Sequence, residues 1–245
     1  MRRHCTTWIF LLSLMLGSTV WAQKTSLDPA ASTRKLSRVE QFATRVPAMR
    51  SQVSARLEAP RLDRATAVAA IVRIMDSVYM RVGSERYANK KDPAKTSTFG
   101  AATLLKQHVS VQGDTIHFDF RGKSGVHWQR QLIDPQLARA VRLFQAQPGE
   151  RLFQVPGEGK VTADHVRGFL KPFGAQAKDF RTLHTNRLLE LELSGLGRPA
   201  NRVQAEKNLT TAIRAVAHQL GHTPAVCRTN YLDGRRLQSY GAGLQ

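Results

Sequence analysis

QHVSVQGDTIHFDFRGKSGVHWQRQL, residues 107–132, is the stretch that decides the fold. Gln107–Val111 has strand character and runs into a Gln112-Gly113-Asp114 turn. Thr115–Arg121 then alternates: Ile116, Phe118 and Phe120 fall on one face, and His117, Asp119 and Arg121 on the other. Gly122-Lys123-Ser124-Gly125 makes a second turn and Val126–Leu132 a third strand. An apolar residue at every second position marks a half-buried strand, and turns this short join antiparallel neighbours. The expectation is a small three-stranded antiparallel meander.

On either side of the meander the apolar period changes to that of helices. Leu36 to about Leu57 reads as a helix interrupted or kinked at Pro47. Asp63 fits an N-cap, followed on one face by Val68, Ile71, Val72, Met75, Val78 and Tyr79, with Arg81 at the C-terminal end. Residues 88–98 are polar and read as a loop. After the meander, helical segments are expected at Pro135–Gln147, Thr162–Phe173, Ala177–Ser194, Val203–Leu220 and, more briefly, Pro224–Tyr231. There are no internal repeats. The fold class is α+β: a mostly helical domain with one small three-stranded antiparallel sheet.

The first 22 residues stand apart. Arg2 and Arg3 precede an apolar run, Trp8 to Leu16, and Val20-Trp21-Ala22 supplies small residues before Gln23. These are the three regions of a secretory signal peptide. Cleavage after Ala22 would lower the net charge from +19 to +17, because Arg2 and Arg3 leave with it. It would also remove Cys5, so Cys227 would be the one remaining thiol. The expectations are a signal peptide at 1–22, a flexible segment at 23–35 and a single domain at 36–245. The product would be exported, or cytoplasmic if the start is misassigned.

The 245 residues include 37 Lys and Arg against 18 Asp and Glu, with a pI near 11.0. At 42% hydrophobic and 22% charged, the chain has ordinary globular composition and enough length for a real core. Two cysteines exclude a disulfide scaffold, and no C-x-x-C spacing suggests a metal site. No 18-residue apolar run follows residue 25, which excludes a polytopic membrane protein. The excess of positive charge calls for a polyanionic partner, nucleic acid first and an anionic membrane surface second.

Five stretches carry a family resemblance: MRVGSERYA (80–88), TLLKQHV (103–109), GKSG (122–125), KDFRT (178–182) and LGHTPAVCRTNY (220–231). In this order they resemble the catalytic domain of the poxvirus-like and bacterial type IB DNA topoisomerases, and the likeness runs from about Ser37 to Tyr240. By motif, the resemblance implies a catalytic set of Arg81, Lys123, Arg181, His222 and Tyr231. It implies double-stranded DNA as partner and strand cleavage through a 3′-phosphotyrosyl intermediate. No cofactor, metal or ATP is implied, and the chain is expected to be a monomer without stable membrane insertion. The set also makes sense by residue type. A tyrosine oxygen conserves the energy of a broken phosphodiester in a covalent bond. Arginine forks and an imidazole N–H suit charge growing on non-bridging oxygens, and a lysine suits protonation of the departing 5′ oxygen. Lys106, His108, Arg121 and Lys178 are candidate DNA contacts; Lys178, three residues before Arg181, is topoisomerase-like, where tyrosine recombinases usually carry histidine.

Each residue also has an ordinary reading. Arg81 fits a helix C-terminal cation, Lys123 a solvated turn residue, and Arg181 half of a surface ion pair with Asp179. His222 fits a capping group after Gly221, Tyr231 a packing residue with one hydrogen bond, and the auxiliary cations a solvated basic face. The sequence departs from the family in three respects. Bacterial members carry an N-terminal β-rich domain that closes on DNA from the opposite side, and nothing before residue 36 is expected to supply one. The loop from Lys90 to Thr98 is longer and more basic than usual, and Leu232-Asp233-Gly234 follows the tyrosine where Ile-His-Pro is commoner. Two alternatives remain open: a tyrosine recombinase or integrase, and an exported, non-catalytic basic DNA-binding protein.

Overall fold

A computed structural model describes residues 29–88, 97–240 and 242. The expected signal peptide, its cleavage site and Cys5 lie outside these residues, as do positions 89–96 of the expected polar loop. Residues 29–35, expected to be flexible, instead open the first helix, α1 (Pro29–Glu58). Proline suits a first helical position, where its missing N–H has no partner to lose, and two alanines follow it. Val39, Phe42, Val46, Met49, Val53 and Leu57 recur every three or four residues on one buried stripe. The expected break at Pro47 does not interrupt α1. Pro47 lies on the solvent side, between the buried Val46 and Met49, where water can meet the carbonyl it leaves unbonded.

Helix α2 (Arg64–Ser77) is buried along nearly its whole length, and the Asp63 carboxylate caps it by accepting from Thr66 N–H at 2.7 Å. It ends earlier than its apolar period suggests. Val78 N–H closes on the Ile74 carbonyl, and Tyr79 then takes φ 61°, a left-handed conformation unusual for a bulky residue. Tyr79 and Arg81 are therefore not helical. A short helix, α3 (Glu85–Ala88), follows.

The meander forms as expected, with strands β1 (Val109–Gln112), β2 (Thr115–Arg121) and β3 (His127–Ile133) in sequential antiparallel order. Val109 faces Phe118 and Phe120 faces Trp128 across the ladders, and the even-numbered apolar residues of β2 are buried. β1 starts later than expected because Lys106–His108 is a 3₁₀ turn, in which Nδ1 of His108 accepts from Leu105 N–H at 3.1 Å. β3 starts one residue later, since Gly122 N–H to Val126 O closes the turn at 2.8 Å.

Among the described residues, six α-helices and a hairpin follow the sheet. α4 (Pro135–Gln145) is capped by Asp134. A hairpin of two-residue strands, β4 (Gln154–Val155) and β5 (Gly159–Lys160), then precedes α5 (Ala163–Leu170) and a 3₁₀ turn at Lys171–Phe173. The last four helices are α6 (Ala177–Leu196), α7 (Arg202–Leu220), α8 (Pro224–Asn230) and α9 (Gly234–Ser239). The main core lies among α1, α2, α4, α5 and the sheet, and a smaller one gathers Leu189, Ile213, Val216, Leu220, Cys227 and Leu232. α6 belongs to both. Phe180 packs edge-on against Phe42 at 5.0 Å in the first core, while Leu189 enters the second. No helix among the described residues is long and apolar enough to cross a membrane.

Candidate active site

Separate segments bring Arg81, Arg181, His222 and Tyr231 into contact. Arg81 follows the Tyr79 turn, and its segment is held by Ala101 N–H to Arg81 O at 2.8 Å and Ala102 N–H to Val82 O at 2.7 Å. The two backbones touch so closely that a Cβ on Gly100 would lie 2.5 Å from the Arg81 carbonyl oxygen. From this anchored position Arg81 Nη1 donates to the Tyr231 hydroxyl at 2.9 Å. Tyr231 caps α8, and Asn186 clamps its backbone: Nδ2 donates to Tyr231 O at 2.9 Å while Oδ1 accepts from Asp233 N–H at 3.0 Å.

Arg181, on α6, is 2% exposed. Nη1 donates to Tyr79 O at 2.6 Å and Nη2 to Leu220 O at 2.7 Å, so the left-handed turn and the end of α7 both hold it. Its guanidinium lies 5.4 Å from the Tyr231 ring centre. His222 follows Gly221, which ends α7 at φ 63°, and its ring stacks on Tyr231 at 5.0 Å and 11°. Lys123 sits exposed on the turn between β2 and β3, beside Ser124 at φ 64°. It lines the same cavity of about 1110 Å³ as Arg81, Arg130, Lys178, His222 and Tyr231, and no carboxylate lines that cavity.

The electrostatics are those of a site suited to an anion. Burial and then the charge of Arg81 lower the Arg181 pKa to about 10, with Tyr231 acting the other way. Burial, then Arg181, lowers His222 to about 4, so its imidazole is neutral at pH 7. Burial pushes the Tyr231 hydroxyl up, but Arg81 and Arg181 more than offset this and leave its pKa below the ordinary tyrosine value. Arg181 Nε and His222 Nε2 are buried with no hydrogen-bond partner. A phosphate would offer Arg181 Nε–H an acceptor; His222 Nδ1 faces the Thr223 carbonyl at 3.3 Å, so the neutral ring carries its proton there and Nε2 donates only when the ring is protonated. Among the described residues, no group of three or more His, Cys, Asp or Glu is placed to hold a metal ion.

A further shell supports these residues. Asp76 accepts from Arg50 at 2.7 and 3.1 Å and pairs with His184 Nε2 at 2.8 Å. The His184 ring lies 4.7 Å from that of Tyr79, whose carbonyl holds Arg181. Asp179 is not the partner of Arg181. It caps Gln176 N–H and takes a two-pronged bond from Arg38 at 2.8 and 2.9 Å. Apart from Asp179, which lies in KDFRT, none of these supporting residues belongs to a motif that reads as chemistry. The signal available was an Asp, a His and an Asn at apolar-period positions of α2 and α6, where polar side chains need partners.

The auxiliary cations divide. Lys178 is exposed at the start of α6 and lines the cavity, and Arg121 is exposed at the end of β2. Lys106 and His108 are differently placed from the expected phosphate contacts. Lys106 Nζ donates to the Gln147 carbonyl. His108 is buried between Phe99, at 4.4 Å, and Phe120, at 5.9 Å, with Nδ1 engaged by Leu105 N–H; burial lowers its pKa.

Comparison with known proteins bears on the family of the chain. The profile of the family described as eukaryotic DNA topoisomerase I, catalytic core, matches residues 24–242. DNA topoisomerase 1B of Acanthamoeba polyphaga mimivirus is 26% identical over 224 residues, covering 86% of this chain and 65% of the relative. DNA topoisomerase 1B of vaccinia virus (strain Western Reserve) is 26% identical over 171 residues, covering 66% of this chain and 50% of the relative. The chain thus spans about half to two thirds of the length of these relatives. A crystal structure of the XerH site-specific recombinase bound to difH substrate aligns over 82% of this chain and 51% of its own, at 12% identity and a TM-score of 0.43. With a match that runs through nearly all of its sequence, the chain belongs to the topoisomerase I catalytic-core family.

Proposed function

We propose that this chain relaxes supercoiled double-stranded DNA by cutting and resealing one strand, with Tyr231 as nucleophile and without ATP or a metal ion. The observation that carries the reading is the 2.9 Å bond from Arg81 to the Tyr231 hydroxyl, with Arg181 and His222 against the same ring. In the forward step the Tyr231 oxygen forms a bond to phosphorus and the bond from phosphorus to the 5′ oxygen breaks. The tyrosine proton passes to solvent, and Lys123 gives a proton to the departing 5′ oxygen. Arg81, Arg181 and His222, protonated once the phosphate offsets the arginine charges, bind the charge that develops on the non-bridging oxygens. The free 5′-hydroxyl end turns about the uncut strand while the other end stays joined to Tyr231 through its 3′ phosphate, and attack by the 5′ hydroxyl reverses the step. No high-energy cofactor enters, because the broken phosphodiester is exchanged for another phosphate ester.

The test is incubation with supercoiled plasmid in EDTA, without ATP. Relaxation of both positive and negative supercoils is expected. Relaxation only on adding magnesium would refute the reading, and sequence-specific strand exchange would favour a recombinase. We also read residues 1–22 as an export signal, with the monomeric chain acting outside the cytoplasm. A fusion of residues 1–30 to a reporter active only after export should give signal, and a mature N-terminus other than Gln23 would contradict the cleavage site.

A further inference from the structure

The turn that carries Lys123 is exposed at Lys123, Ser124 and Gly125. A general acid must stay within hydrogen-bond reach of its oxygen, and an error of about 1 Å can cost as much as 10²-fold in rate. The structure offers one side chain that ties this turn to the rest of the site. Trp128 lies on β3 directly across from Phe120, with the rings roughly parallel and 6.1 Å apart, and it is almost fully buried. Its indole lies against two glycine backbones at once. A Cβ on Gly122, next to Lys123, would meet Trp128 Cδ1 at 2.8 Å. A Cβ on Gly221, next to His222, would meet Trp128 Nε1 at 2.9 Å. Neither turn has room for a methyl group. Arg130 adds to the same joint: its guanidinium lies over the indole at 5.0 Å, and Nη2 donates to the His218 and Gln219 carbonyls at the end of α7 at 3.3 and 3.1 Å.

We propose that Trp128 is a positioning residue, a wedge between the Lys123 turn and the His222 turn that sets the proton donor in register with the tyrosine. The inference rests on the reading of Lys123 as acid and Tyr231 as nucleophile. It explains why β3 bears its aromatic residue opposite Phe120, and why both turns carry glycine where they touch it. Gly221 also needs its left-handed φ, whereas Gly122, at φ −87°, is in a conformation any residue adopts. At Gly122 the indole alone excludes a side chain.

That difference supplies the test. Trp128→Phe shortens the wedge, because a single ring lacks Nε1 and the Cζ2 edge that meet the Gly221 turn, and Gly122→Ala pushes the turn away without altering any charged group. Each variant of the full chain is assayed for covalent adduct formation on two duplexes, one with an ordinary phosphodiester at the cleavage site and one with a 5′-bridging sulfur. The sulfur leaves as a thiolate and needs no proton. Both variants are expected to lose about ten-fold or more in cleavage rate on the ordinary duplex, and to regain most of it on the sulfur duplex, as Lys123→Ala should. Equal loss on both duplexes, or no loss on either, overturns the role of Trp128. If Trp128→Phe melts too low to assay, Gly122→Ala decides alone. A wild-type chain that forms no adduct on either duplex overturns the reading of the site and this role with it, an outcome distinct from a competent wild type with unrescued variants.

Discussion

At the residue scale, the chemistry turns on how three neighbours alter one hydroxyl. Tyrosine ionises near pH 10 and is a weak nucleophile at neutral pH. Arg81 and Arg181 lower that value against the effect of burial, but their charges also depress the pKa of His222. In the DNA-free protein the histidine is therefore neutral at pH 7. Its folded pKa, about 4, lies below the ordinary 6.5, so the unfolded chain takes up this proton first as pH falls. Its contribution destabilises the fold between pH 6.5 and 4 and has no effect above. An NMR titration of the DNA-free protein should place the inflection of His222 near 4. Duplex DNA should raise it, because a phosphate offsets the arginine charges; an inflection near 6.5 without DNA would contradict this. His222→Asn, which keeps an N–H donor, should retain far more cleavage activity than His222→Ala. The alanine variant is expected to lose about 10²-fold in a single-turnover adduct assay.

At the level of elements, α1, α2 and α6 meet through polar contacts as well as apolar ones. Asp76 on α2 is 7% exposed, and its pairs with His184 and Arg50 outweigh the burial that would raise its pKa, leaving it at about 2. A depressed carboxylate contributes stability that is present above its unfolded pKa of 3.8 and lost as pH falls towards 2. Asp76→Asn should therefore cost about 2 kcal/mol at pH 7 in urea unfolding, with the gap to wild type closing below pH 3.8. A constant gap across that range would show that the charge is not what matters. These elements were legible to different degrees in the sequence. The Asp63 cap, the helix after it and β2 follow local rules that neighbours reinforce. The hairpin at β4 and β5 did not show, since two-residue strands have no measurable period. Nor did the left-handed Tyr79, a conformation that tertiary contacts impose on a residue that does not favour it. His108 read as a surface cation because its burial depends on Phe99 and Phe120, which reach it through the sheet. The contacting residues of the site were visible only as motifs, while Asn186, Asp76 and Trp128, which hold them, are silent in sequence because their partners lie far away in the chain.

Over the whole molecule, charge and cavity agree. A net +19 surrounds a cavity lined by cations and by no carboxylate, a field that attracts a polyanion before any specific contact forms. Each phosphate neutralised releases about 0.9 counterions, so the logarithm of DNA affinity should fall linearly and steeply with the logarithm of salt concentration. Lys178→Ala should make that slope shallower by about one contact's worth in a filter-binding titration, and Lys106→Ala, whose ammonium already serves the Gln147 carbonyl, should leave it unchanged. A flat salt response in the wild type would argue against DNA as the partner.

The central claim is that Tyr231 attacks DNA. The most direct measurement traps the reaction with denaturant on supercoiled plasmid in EDTA, digests the protein and maps the DNA-linked peptide. The expected adduct is on Tyr231, absent in Tyr231→Phe even though that variant binds duplex DNA with nearly wild-type affinity. An adduct on Tyr240, or relaxation that survives in Tyr231→Phe, would contradict the claim.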